Sequence, residues 1–323
     1  MKYGTLVISL DFELMWGILD HDTPMAYKNN IAGVRHVIPR MLKLFEEHHI
    51  HATWGIVGLI ANKSIEDCRK NVPELLPRYV DENLSSYFHM KELDEIEAGC
   101  FCAPELIRRI ADTKYQEIGS HTYSHYYCAE EGQSREEFRC DLKKAREALA
   151  FYGNSLRSLI FPRNQQNKEY TDVMREEGFV NYRGNEKMWI YQPCGREQSR
   201  KMIRRLLRLA DHYINISGHN CYDDCEIPDA QGMNNIRSSR FFRPYSKSLF
   251  FLEPLKIHRI KMQMRYAAVH HQIFHIWWHP HNFGVNREKN FKNLIKIIRY
   301  YEFLKKRYGM KSLSMGEVGD RLK

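Results

Sequence analysis

His121 and His125 stand four positions apart in Gly119-Ser120-His121-Thr122-Tyr123-Ser124-His125. That spacing lets two imidazoles converge on one ion from a tight loop or from a helical turn. The segment is not the H-E-x-x-H of metalloproteases, because Thr122 stands where that motif carries its glutamate base. A second group is Asp11-Phe12-Glu13, closing a strand-like run. Alternation along an extended chain points both carboxylates to one side and Phe12 to the other. Two like charges so close repel in an apolar cavity unless a cation or a shared proton offsets them. Two histidines and one carboxylate, with positions left open for water and substrate, suit Zn²⁺ or a similar divalent ion. Phe161-Pro162-Arg163-Asn164 presents an arginine where a strand ends, able to hold a carboxylate bidentately. Trp277-Trp278-His279-Pro280-His281-Asn282-Phe283 adds two histidines and aromatic faces of the kind that wall sugar sites. Each segment also has a plain structural explanation: surface carboxylates, unrelated histidines in a chain with 16 of them, a surface arginine, one core and one surface tryptophan.

These groups share one feature: each ends an apolar run, and in a parallel sheet reactive groups collect at the carboxyl ends of strands. Strand-like runs at Thr5–Leu10, Ala52–Val57, Gln116–Ser120, Leu159–Phe161, Phe179–Tyr182 and Ile273–Trp278 alternate with helical patterns. The helical patterns cover Val34–His49, with Pro39 near its first turns, Pro104–Ala111, a segment opened by the capping box of Ser134 and Glu137, Tyr170–Glu177, and Arg287–Tyr308. The alternation predicts an α/β fold built of parallel βαβ units, a barrel-like sheet. No clean linker divides residues 1–323, so a single domain is expected, with insertions at about 62–99 and 195–268. Within the second, the stretch from Arg196 to Ala210 reads as a basic amphipathic helix, either lying on an anionic membrane face or packed on the barrel with its charges solvated.

Composition narrows the classes. Hydrophobic residues make up 43% and charged residues 28% of 323, values of a globular chain with a large core, which excludes wholesale disorder. Lys and Arg exceed Asp and Glu by 49 to 40, so the net charge of +9 favours anionic partners without choosing among them. No base-reading motif appears, and nucleic-acid binding is not expected. The opening residues lack the apolar core of a secretory signal, and charged residues interrupt every hydrophobic run. A cytoplasmic protein, at most peripheral to the inner face of a membrane, is therefore expected. Eight cysteines without matched CxxC pairs read as reduced structural thiols.

With these segments in this order the chain resembles the polysaccharide deacetylases, the carbohydrate esterase 4 group built on the NodB homology domain. Glu117-Ile118-Gly119-Ser120-His121-Thr122-Tyr123-Ser124-His125 is similar to the family's H-[ST]-x-x-H motif and its lead-in. The resemblance implies a distorted (β/α)7-type barrel and a divalent metal, most commonly zinc, used to remove acetyl groups from sugars. It makes His121, His125 and Glu13 the metal ligands, Asp11 the base, with the reverse assignment of Asp11 and Glu13 open, and His279 the general acid. Arg163 resembles the arginine that orients the base, although FPRN departs from the usual R-x-P-x-G. Trp278, His281 and Asn164 are the candidate substrate contacts. The expected substrate is an acetylated amino sugar, free or carried on a nucleotide or lipid diphosphate during cell-surface glycan assembly. Two alternatives remain: an allantoinase-like hydrolase of a non-sugar amide, and a catalytically silent glycan-binding or membrane-peripheral protein.

Overall fold

The computed structural model describes residues 2–21, 24–152, 156–192 and 201–322. One parallel sheet organises them. Its strands are β1 (Thr5–Phe12), β2 (Ala52–Ile56), β3 (Gln116–Ser120), β4 (Ser158–Ile160), β5 (Asn181–Arg183), β6 (Asn234–Asn235), β7 (Arg240–Phe241), β8 (Ile273–Trp278) and β9 (Lys311–Leu313). The order is β6-β5-β4-β3-β2-β1-β8-β7, with β9 also on β1. The sheet curls into an incomplete barrel flanked by helices, a distorted (β/α)7 barrel of the expected class.

β1 is the axis of this arrangement and is buried along its whole length. β8 runs along one edge from Thr5 to Leu10; the other edge is shared by β9, at Thr5–Val7, and β2, at Ser9–Phe12. Its even-numbered residues, Leu6, Ile8, Leu10 and Phe12, join the main core with the helices. Val7, on the opposite face, packs with Ile160, Ile236 and Ile273 inside the curl. Asp11 continues that inner face, so the pleat directs an acidic side chain into the barrel mouth. The helix Lys28–Glu47 covers the outside with Ile31, Val34, Val37, Ile38, Met41, Leu42 and Phe45, a stripe at helical spacing. It begins earlier than the sequence suggests, placing Pro39 in its middle instead of its first turns. The capping box of Ser134 and Glu137 opens the helix Arg135–Leu149, and β8 and the helix Arg287–Tyr308 fall where periodicity predicts.

Residues 62–99 contribute short helices, Ile65–Lys70 and Ser86–Met90 among them, and no strand among the described residues. The other stretch set aside as an insertion, 195–268, contains β6 and β7, which extend the sheet at its two ends. Two-residue strands are too short for alternation to reveal. The start of the basic segment, through residue 200, lies outside the described residues; its remainder forms the helix Met202–Asp211. Asp211 ties that helix to the barrel. Fully buried, it accepts hydrogen bonds from Tyr191 Oη at 2.8 Å and Ser217 Oγ at 2.7 Å and pairs with Arg240 Nη1 at 3.1 Å and Arg259 Nη2 at 3.5 Å. Burial alone would raise its pKa, but Arg240 and the Ser217 hydrogen bonds outweigh it and hold the carboxyl at about 2.

A carboxyl depressed from 3.8 to about 2 stabilises the fold fully above its unfolded pKa and loses that contribution as pH falls through its folded value. Asp211→Asn is expected to lower the urea midpoint at neutral pH. It should also reduce the further loss seen on acidification from about pH 4 to about pH 2. Urea titrations of both proteins across that range check this.

Candidate active site

Four chain segments meet at the carboxyl-terminal mouth of the barrel. Glu13, one residue past β1, is 5% exposed, and its Oε2 lies 3.1 Å from His125 Nε2 and 3.4 Å from His121 Nε2. His121 Nδ1 lies 2.8 Å from the carbonyl of Ile160, which can only accept, so Nδ1 carries a proton and Nε2 is the nitrogen turned towards Glu13. That Nε2 is buried without a hydrogen-bond partner. His125 is oriented the same way, with Nδ1 3.0 Å from Tyr127 Oη and Nε2 towards Glu13. Burial lowers the pKa of His125, although Glu13 opposes the shift. Glu13 in turn is held well below the usual carboxylate range: burial works against ionisation, and His279, His121 and His125 overcome it. Among the described residues, Glu13, His121 and His125 form the one group of three with potential ligand atoms all within 4.8 Å of one another. An orphaned imidazole nitrogen facing a carboxylate beside a second imidazole is a donor set that could hold a divalent cation.

The loop carrying the histidines is fixed from below. Asp141 accepts hydrogen bonds from the backbone of Tyr123 at 2.6 Å and Ser124 at 3.0 Å, and Thr122 Oγ1 accepts from the Tyr126 amide at 2.7 Å. Thr122 and His125 have left-handed backbone, φ 62° and 61°, as do Leu14 beside Glu13 at 48° and Arg163 and Asn164 at 53° and 54°. Non-glycine residues pay for that conformation, and it persists where surrounding hydrogen bonds impose it. Gly17 is required for a different reason: a Cβ there would overlap the Glu13 carboxyl group.

Asp11, 3% exposed, sits beside this triad and is gripped by Arg183, whose Nη1 and Nη2 lie 2.6 and 2.7 Å from its two carboxylate oxygens. Burial would raise its pKa; Arg183 and then His121 more than compensate, and Asp11 is ionised. His279 Nε2 is 3.8 Å from Asp11 Oδ2 and 3.6 Å from Glu13 Oε1. His281, 5% exposed, places Nδ1 4.0 Å from Glu13 Oε1, and burial followed by the nearby His279 pulls its pKa down to about 3, so it is neutral. A cavity of about 300 Å³ opens onto Asp11, Glu13, His125, His279, His281 and Trp277.

Two expectations need correction. Arg163 does not hold Asp11; it pairs with buried Asp20 and lies over the Tyr127 ring at 4.8 Å. Its reversed backbone in FPRN turns the side chain towards that neighbour, and Arg183, at the end of β5, takes the position beside Asp11. Arg183 was findable by the same strand-end rule, but the sequence places that strand's end at Tyr182, one residue short. Trp278 is not at the site either. It is fully buried between Phe45, Phe242 and Phe283, because alternation in β8 sends it outward, and Trp277 faces the cavity over Arg183 at 4.2 Å. Asn164 lines the cavity wall, with Oδ1 accepting from Arg183 Nη2 at 2.8 Å.

The sequence profile of the polysaccharide deacetylase family matches residues 24–182, which include His121 and His125. Just under half of the chain is thus similar to that family. The matched span stops short of Asp11, Glu13 and His279, so the geometry is what joins those residues to the family's histidine motif. No curated protein matches by sequence. Among solved structures, a Mycobacterium smegmatis protein described as a polysaccharide deacetylase aligns with TM-score 0.62 at 14% identity, over 100% of this chain and 91% of its own. A Pseudomonas aeruginosa PAO1 protein described in the same terms gives 0.54 at 13%, over 99% and 91%. At those identities the likeness is one of fold.

The donor set predicts that zinc-loaded protein retains about one ion per chain after dialysis. Glu13→Gln and Gly17→Val are each expected to lose most of it, the second by displacing a carboxylate it does not replace. Metal analysis against melting temperature separates lost ligation from lost folding.

Proposed function

We propose that the chain is a metal-dependent hydrolase that removes an N-acetyl, or similar acyl, group from an amino sugar during cell-surface polysaccharide biosynthesis. The observation that carries this reading is the placement of an ionised Asp11 and of His279, 3.8 Å apart, beside the Glu13-His121-His125 group at one cavity. The match of residues 24–182 to the polysaccharide deacetylase family supports it. A divalent ion, most readily zinc, would be held by Glu13, His121 and His125 and would supply Lewis acidity towards the acyl carbonyl and its attacking water.

The chain's own residues divide the remaining work. Asp11 accepts the proton of the attacking water, and Arg183 holds its two oxygens in fixed orientation without a competing proton. His279, 22% exposed at its side chain and open to the cavity, gives a proton to the departing amine, which would otherwise leave as an anion. Trp277 and Phe241 wall the cavity with the apolar faces on which sugar rings pack. His281 stays neutral and able to hydrogen-bond substrate. The net charge of +9 favours a sugar carried on an anionic nucleotide or lipid diphosphate.

The test is acetate release from acetylated amino sugars, free and diphosphate-linked, by zinc-loaded protein, with cyclic ureides as a parallel panel. Turnover of a sugar that stops on chelation is expected. Acetate from none of the sugars, or turnover confined to ureides, overturns the reading. Asp11→Asn and His279→Ala should each lower kcat by about 10²–10⁴-fold with KM little changed, as for groups that act on protons in the transition state. Arg183→Gln should also act on kcat more than on KM, by way of Asp11.

A further inference from the structure

The helix Met202–Asp211 is mounted with its polar side inward. Arg204, 8% exposed, sends Nε to the Ile190 carbonyl at 2.8 Å and Nη2 to those of Trp189 and Gln192 at 2.5 and 3.0 Å. Arg208 Nε adds a bond to Ile190 at 2.7 Å, and Asp211 closes the same face in its buried arginine cluster. At 100° per residue these three lie on one side of the helix, and Met202, Ile203 and Leu206 lie on the other. Those apolar residues are 75%, 70% and 57% exposed, and Trp189, beside Arg204, is 56% exposed. Lys201 and Arg205 are exposed at the edge of the stripe. An ordinary surface helix would turn Met202, Ile203 and Leu206 into the body and its arginines to water.

The inward face of this helix does something else. Arg208 and His212 line a second cavity of about 230 Å³. It shares Arg163, Asn164, Phe241, Trp277 and His279 with the cavity over Asp11 and Glu13, so the two adjoin. One side of the helix borders the reaction site, and the other offers an apolar surface to the exterior.

We propose that this helix, with Trp189, enters the headgroup boundary of an anionic lipid membrane apolar side first, and so holds the cavity mouth beside a membrane-borne glycan. An apolar stripe flanked by basic residues is the pattern of an interfacial helix, in which hydrophobic insertion and attraction to anionic lipid add. The occupant is lipid and not a second copy of this chain. A handful of side chains falls far below the about 800 Å² per partner of a stable interface, and a copy with net charge +9 would bring like charge to like. The membrane-borne substrate rests on the deacetylase reading; the docking does not.

Vesicle co-sedimentation tests it without substrate. The protein is expected to partition onto phosphatidylcholine vesicles containing about a third phosphatidylglycerol more strongly than onto phosphatidylcholine alone, with binding weakened but not abolished by high salt. Met202→Ser/Ile203→Ser/Leu206→Ser should reduce partitioning at least tenfold at unchanged melting temperature, and Lys201→Glu/Arg205→Glu should remove the preference for anionic lipid. Absence of wild-type binding at low salt overturns the proposal, as does a triple variant that binds like wild type. So does light scattering that shows a wild-type dimer made monomeric by the triple variant. If vesicles bind but no sugar is deacetylated, the functional reading fails and the docking stands.

Discussion

Two carboxylates cannot stay ionised side by side in a dry cavity without positive charge or hydrogen-bond donors brought to each, and the mouth of this barrel is built around that requirement. Asp11 and Glu13 leave β1 with 3% and 5% exposure. Asp11 is answered within the protein by Arg183, which reaches it from β5 and is itself steadied by Ser9 and Asn164. Glu13 is answered by two imidazoles whose outer nitrogens are committed to a carbonyl and a tyrosine, leaving their inner nitrogens facing it. In the proposed reaction the first carboxylate would exchange a proton, and the second would offer its lone pairs to a cation. Their difference in role follows from their partners, since both residues come from three consecutive positions of one strand end.

That difference shows where the sequence is informative. Strand β8 and the helix Arg287–Tyr308 are legible because their periodicity runs over many residues, and the His121–His125 spacing is legible because it is local. The partner of Asp11 is not local: Arg183 lies 172 positions away, and only the sheet order brings β5 to the same mouth as β1. Arg163 was the reasonable arginine from chain order alone. What displaced it is a backbone conformation, φ 53°, that no residue type in Phe161-Pro162-Arg163-Asn164 announces. The tryptophan pair illustrates a smaller uncertainty of the same kind. Alternation says that Trp277 and Trp278 face opposite ways, but which one faces the cavity depends on strand phase, a shift of a single residue.

The stretch set aside as an insertion conceals both kinds of limit. Its strands β6 and β7 are too brief to carry a pattern, yet they extend the sheet. Its helix carries a strong pattern whose sense is inverted, because the backbone carbonyls of Trp189, Ile190 and Gln192 and the cluster around Asp211 compete for its arginines and win. An amphipathic sequence specifies two faces; the neighbours decide which one is turned inward.

The placement of β1 also bears on how the molecule is made. The strand that carries Asp11 is made well before its partners, because the strand along its longer edge starts at Ile273 and the one completing its other edge at Lys311. Pairings across more than 260 residues must wait for the polypeptide between them and carry a loop-closure entropy, the signature of slow folding. Until then Leu6, Ile8, Leu10 and Phe12 form an uncovered apolar ribbon with an unsatisfied edge, so nascent chains of this protein should depend heavily on chaperones.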